Sequence, residues 1–149
     1  MKNYAYLAGL IDGEGTITIY KHKQHKRPTF QLRPRVVVAN THMPMLHSLV
    51  RDYGGTLIKN GKPSSPRPCF LWRVFSQADI ERILVGVRPY LIIKAVHADL
   101  MMRFIDLRKA VGRAPYGKVE EFCYQEIRRL NQRGPGVPSE RRTNDPHRL

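Results

Sequence analysis

The hydrophobic period of this chain switches from helical to alternating twice in succession, and that repeat constrains the fold more than any other feature. Tyr4, Leu7, Ala8, Leu10 and Ile11 recur at helical spacing up to Gly13 and Gly15. Two strand-like runs follow, Thr16 to Lys23 and Phe30 to Asn40. In the second run Phe30, Leu32, Val36 and Val38 share one parity, and Gln31, Arg33 and Arg35 share the other. Pro34 falls on the apolar parity, which predicts an edge or a bulge there. A second helix opens at Pro44, carries Leu46, Leu49, Val50 and Tyr53 on one face, and ends at Gly54 and Gly55. Two more strands are predicted over Thr56 to Asn60 and Cys69 to Phe75. The expected fold class is therefore α+β, an αββαββα arrangement with a four-stranded antiparallel sheet and helices on one face. Ser76 suits the N-cap of a third helix bearing Ile80, Ile83, Leu84 and Val87 and stopped by Pro89. Lys94 to Ala110 and Lys118 to Asn131 read as two further helices.

A chain of 149 residues supplies one ordinary domain, here residues 1–132. In residues 133–149 Gly, Pro, Ser and Arg dominate without periodicity, and a flexible basic tail is expected. The charge balance is the unusual number: 26 Lys and Arg against 12 Asp and Glu give +14. That excess predicts a polyanionic partner, with nucleic acid ahead of a membrane surface. Nothing spans a membrane, because the most apolar stretch is broken by Arg82, Arg88 and Pro89. Met1 opens a polar segment with no apolar leader, and the two cysteines, Cys69 and Cys123, suggest neither a disulfide framework nor a zinc site. A soluble protein of an intracellular, reducing compartment is expected.

The sheet's polar parity gives the candidate binding face. It would carry Thr16, Thr18, Tyr20, His22 and Gln24 from the first strand, Gln31, Arg33 and Arg35 from the second, and Leu71 and Arg73 from the fourth. Hydroxyls, amides and guanidiniums with few acids suit the major groove of double-stranded DNA. The same pattern also fits a plain solvated sheet face. Lys21, Lys23, Lys26 and Arg27 in the first hairpin would add phosphate contacts. His22 and His25 lack the further ligands a zinc site requires.

Residues Leu7 to Gly15 read L-A-G-L-I-D-G-E-G. This resembles the signature of the LAGLIDADG homing endonucleases, departing from it at Gly13 and Glu14. Later segments follow the family's order: V-V-V-A-N-T at Val36 to Thr41, Tyr53-Gly54-Gly55, Trp72-Arg73-Val74, Pro89 to Lys94, and I-R-R-L-N-Q-R-G at Ile127 to Gly134. The resemblance implies a DNA endonuclease that uses Mg²⁺, or another divalent cation such as Mn²⁺, on a long, roughly palindromic site. It implies that Glu14, with Gly13, binds the metal and that Asn40 orients the attacking water. By the same resemblance Lys94 stabilises developing negative charge, and Arg73 has a similar electrostatic role.

The residues leave duller readings open: Asn40 also suits a cap or turn, Lys94 a surface position, and Arg73 a generic phosphate contact. In the family the motif helix packs on a second copy at a dimer axis through small residues, here Ala8, Gly9 and Gly13. With one copy of the motif a homodimer is implied, and Leu7, Ala8, Gly9, Ile11 and Asp12 are the expected interface. Two other functions fit the same fold, an intron-encoded RNA maturase and a catalytically inactive DNA-binding protein. A basic structural protein such as a ribosomal component is the reading from another class.

Overall fold

A computed structural model describes residues 1–27, 29–61, 64 and 66–132. The expected tail at 133–149 and the end of the Ile127 to Gly134 segment lie outside the described residues. The elements run α1 (Tyr4–Glu14), β1 (Gly15–Lys23), β2 (Phe30–Asn40), α2 (Met43–Tyr53), β3 (Thr56–Asn60), β4 (Cys69–Val74), α3 (Gln77–Val87), a 3₁₀ turn (Arg88–Tyr90), α4 (Ala95–Val111) and α5 (Lys118–Asn131). The four strands form one antiparallel sheet, as the doubled helix–strand–strand pattern suggests, and their order is β1-β2-β4-β3. No helix among the described residues is long and apolar enough to cross a membrane.

Alternation decides which face of the sheet is covered. Ile17, Ile19, Leu32, Val36, Val38, Trp72 and Val74 are buried and face the helices. They meet Leu7 and Ile11 of α1, Leu46 and Leu49 of α2, Ile80, Ile83 and Leu84 of α3, and Phe104 of α4 in one cluster. Each aliphatic side chain withdrawn from water there contributes about 1.5–3 kcal/mol. Trp72 is fully buried yet polar-satisfied, since its indole N–H donates to the Gly54 carbonyl at 2.7 Å. The following Gly55 has φ +83°, and a Cβ there would lie 2.6 Å from the Arg73 carbonyl oxygen. Only glycine fits that approach of the α2–β3 turn to β4.

Some expectations change in detail. α1 runs through Gly13 to Glu14, and Gly15 ends it with its N–H on the Ile11 carbonyl. β2 is an interior strand, but β4 pairs only with Val36 to Asn40. Pro34 therefore has β1 on one side and no ladder on the other, a local edge of the sheet of the kind that tolerates proline. The β1–β2 register advances residue for residue through Pro34, without a bulge. Phe30 is 47% exposed rather than in the core, because the distal hairpin runs past the helical layer and Tyr20 to Lys23 are exposed on both parities.

Candidate active site and nucleic-acid interface

Two acids stand two residues apart at the end of α1 and meet opposite environments. Asp12 is half-buried, and its carboxylate accepts the backbone N–H of Ile92 at 2.8 Å and of Lys94 at 2.9 Å. These groups lead into the N-terminus of α4, whose dipole favours a negative charge. Burial pushes the Asp12 carboxyl up, but the N–H donors of Ile92, Lys94 and Ile93, with the Lys94 charge, outweigh it and hold it below its ordinary value. Glu14 occupies the reverse position. It is exposed at the C-terminal end of α1, where the dipole disfavours an anion, and the last turn of that helix carries no basic residue. No ion pair among the described residues involves it. Its partner is neutral: the Asn40 side-chain amide donates to Glu14 Oε2.

Asn40 combines two of the readings open from sequence. Its Nδ2 fixes Glu14 while its Oδ1 accepts the His42 N–H at 2.8 Å, a turn that leads into α2. Lys94 stands at the N-cap of α4 and is half-buried. Its ammonium donates to the Asp12 main-chain oxygen at 2.7 Å, which ties it to the same helix end as Glu14. No hydrogen bond or ion pair among the described residues joins it to Glu14 itself. Burial lowers the Lys94 pKa below its ordinary value, with the Asp12 charge partly opposing this. Arg73 lies apart from these, on the outer sheet face between Val37 and Thr56.

His97, one turn after Lys94 on α4, was not singled out by sequence. It is 8% exposed and its Nδ1 has no hydrogen-bond partner. Burial, then the Lys94 charge, lowers its pKa despite opposing contributions from Asn131, Asp12 and Leu130. Nothing in its spacing distinguishes it from a core residue.

The outer sheet face is built from cross-strand rows. Starting beside Glu14, the rows are Ala39–Leu71–Ile58, Thr16–Val37–Arg73–Thr56, Thr18–Arg35, Tyr20–Arg33 and His22–Gln31. No outward position in these rows is acidic. Gln24, Lys26 and Arg27 lie at the hairpin tip, where Gln24 is pinned by Thr29 and the two basic residues are exposed. Lys21 departs from its expected role: its parity turns it inward, into an ion pair with Glu121 of α5 at 3.2 Å. Pairing also sets Ala39 and Ile58 beside Leu71 on this face, an apolar row that depends on strand register and that no single strand's pattern marks.

The exposed side of α1 corrects the expected contact surface. Leu7, Ala8 and Ile11 have no exposure and belong to the chain's own core, so they have no surface to offer a second copy. The exposed stripe is Ala5, Gly9 and Gly13, four residues apart, and a Cβ at Gly9 or Gly13 would meet nothing within 4 Å. Of the expected interface residues only Gly9 is fully exposed, while Asp12 is engaged within the chain. Among the described residues no three His, Cys, Asp or Glu side chains cluster as metal ligands.

No protein-family model matches this sequence, and no curated protein matches it. Solved structures do. The homing endonuclease I-CvuI, in complex with its target in the presence of Ca, superposes with a TM-score of 0.72 at 18% identity, over 88% of this chain and 83% of that one. The archaeal intron-encoded homing endonuclease I-Vdi141I complexed with DNA gives 0.72 at 14% identity, over 89% and 86%. The LAGLIDADG homing endonuclease I-GzeII, in complex with a DNA target, gives 0.64 at 21% identity, over 99% of this chain and 50% of that one. The doubled helix–strand–strand sheet, with L-A-G-L-I-D-G-E-G on its first helix, is the α+β fold of the LAGLIDADG homing endonucleases.

Proposed function

We propose that this chain is one subunit of a homodimeric, divalent-metal-dependent endonuclease that cuts double-stranded DNA at a specific, roughly palindromic site. The observation that carries the reading is Glu14: a solvent-facing carboxylate at the negative end of a helix, with no cationic partner among the described residues, in a chain of net charge +14. A carboxylate kept in such a place calls for a cation from outside the chain. Mg²⁺ fits, because it takes one or two carboxylates and completes its shell with water and phosphate oxygens. Among the described residues no cluster fits a cation that needs several side-chain ligands from one chain. Glu14 would hold the ion, with Gly13 beside it. A cation so placed lowers the pKa of water and offsets charge on the phosphate.

The chain's own groups do the rest. Asn40 fixes the Glu14 carboxylate and presents an amide near the attacking water. The Lys94 ammonium, held by Asp12, supplies positive charge to the phosphate. Arg73 contributes from the sheet side. Two copies meeting through Ala5, Gly9 and Gly13 would bring two Glu14 residues to one axis, one for each strand. Support for two copies comes from the exposed stripe of small residues on α1, where a Cβ at Gly9 or Gly13 would meet nothing within 4 Å. The outer face favours DNA over duplex RNA, whose major groove is too narrow for a sheet ribbon.

The test is incubation with a randomised duplex library and Mg²⁺, followed by recovery of cut molecules. A specific, two-fold-related pair of cuts is expected. Metal-independent or absent cutting, with purified and folded protein, rejects the reading.

A further inference from the structure

The outer sheet face is divided in two. In the rows far from Glu14, two arginines are held by neighbours that leave their outer N–H groups free. Arg33 donates Nε and Nη2 to Gln31 Oε1 at 3.2 and 2.8 Å, which leaves the Nη1/Nη2 end of the guanidinium open. Arg35 lies over the Tyr20 ring at 4.4 Å, and its Nε is buried without a partner. Stacking of this kind orients the plane and leaves the in-plane Nη donors unused. Neither arginine has a carboxylate partner among the described ion pairs. In the row nearest Glu14 the situation is reversed: Ala39, Leu71 and Ile58 stand opposite one another and offer no side-chain donor or acceptor.

An extended strand advances about 3.4 Å per residue, so outward positions recur about every 7 Å. Base pairs advance about 3.4 Å, so neighbouring rows sit about two base-pair steps apart. A guanidinium fork matches the O6 and N7 of guanine in the major groove, whereas an apolar side chain meets only a thymine methyl. Gln31 is unable to read adenine in the bidentate manner, because its oxygen already accepts twice from Arg33.

We propose that each half-site is read in two zones: an outer zone in which Arg33 and Arg35 each select guanine, about two base pairs apart, and an inner zone beside Glu14 whose bases face Ala39, Leu71 and Ile58 and are chosen by methyl contact and duplex shape. Gln31 and Tyr20 act as positioning residues for the two arginines. This rests on the DNA-cutting reading above and adds which bases the surface selects.

Binding selection from a randomised duplex library in Ca²⁺, with bound molecules sequenced, tests it. Two guanine positions in the outer half-site are expected, each preferred on the order of 10-fold over other bases, with inner positions uniform or thymine-enriched. Arg33→Ala should erase one guanine preference and leave the other. Gln31→Ala should weaken the same position as Arg33→Ala, and Tyr20→Leu the position of Arg35. Leu71→Gln should create a preference in the inner zone that the parent lacks. Strong purine selection in the inner zone, or outer positions indifferent to Arg33→Ala and Gln31→Ala, overturns the zoned readout while leaving sequence-specific binding intact. A chain that binds no duplex above a scrambled control overturns both this inference and the reading it rests on.

Discussion

Lys94 donates to Asp12 twice, once from its side chain and once from its backbone. The Lys94 ammonium donates to the Asp12 main-chain oxygen at 2.7 Å, and the Asp12 carboxylate accepts the Lys94 backbone N–H at 2.9 Å. The clasp fixes the end of α1 to the start of α4 and places an ammonium and the exposed Glu14 carboxylate on the same helix end.

Removing the acid of that clasp should destabilise the fold. Asp12→Asn keeps the size but loses charge-assisted acceptance from Ile92 and Lys94, with an expected loss of about 1–3 kcal/mol in chemical denaturation. Because folding lowers the Asp12 pKa, the ionised form is the one it favours. The stability difference between parent and Asp12→Asn should be complete above the ordinary value of 3.8 and vanish as pH falls through the lower folded value. A difference that stays constant through acid pH removes the carboxylate from this role.

Glu14→Gln should abolish Mg²⁺-dependent cutting and leave DNA binding measurable. Loss of a metal-holding charge is worth several kcal/mol in the transition state, hence at least about 100-fold in rate. Gel-shift and cleavage assays on one duplex separate the two. Retained cutting would take Glu14 out of the mechanism.

Lys94 should set an alkaline limit on cleavage. Its ammonium loses its proton below the ordinary lysine value of 10.5, since burial disfavours the charged form. The rate should fall as pH rises through that lowered value, and Lys94→Arg, which stays charged, should shift the fall to higher pH. An alkaline limb identical in both chains points to another group.

Gly9→Leu should separate association from folding. No atom lies within 4 Å of a Cβ at this position, so one chain accommodates the side chain and gains roughly 0.5–1 kcal/mol in helix propensity. A second helix packed on the Ala5, Gly9 and Gly13 stripe does not accommodate it, and self-association should weaken on the order of 10-fold or more. Sedimentation gives the association, and circular dichroism confirms an unchanged fold. Undiminished dimer would place the contact elsewhere.

Gly15→Ala should do the opposite and strike the fold itself. A Cβ at Gly15 would lie 2.6 Å from the Ile11 Cα, so the backbone at the α1–β1 junction must shift. A loss of about 1–3 kcal/mol in unfolding free energy is expected, against little change for Gly9→Ala.

Local pattern by itself determined much of this protein. The bounds of β2, β3 and α5 follow from alternation and from helical spacing between punctuating residues, because those periods are properties of consecutive side chains. The L-A-G-L-I-D-G-E-G run located the helix end where Glu14 and Asp12 stand. What tertiary structure decided is which side of each element met another element. Leu7, Ala8 and Ile11 looked like a contact surface until the sheet and α3 enclosed them, and Ala5, Gly9 and Gly13 were left outside. Lys21 sat among basic hairpin residues until α5 supplied Glu121. Asp12 and Glu14 carry the same charge two residues apart, but only Asp12 has a helix N-terminus before it. No spacing encodes that difference, because the groups that settle it arrive from about eighty residues away, at Ile92 and Lys94.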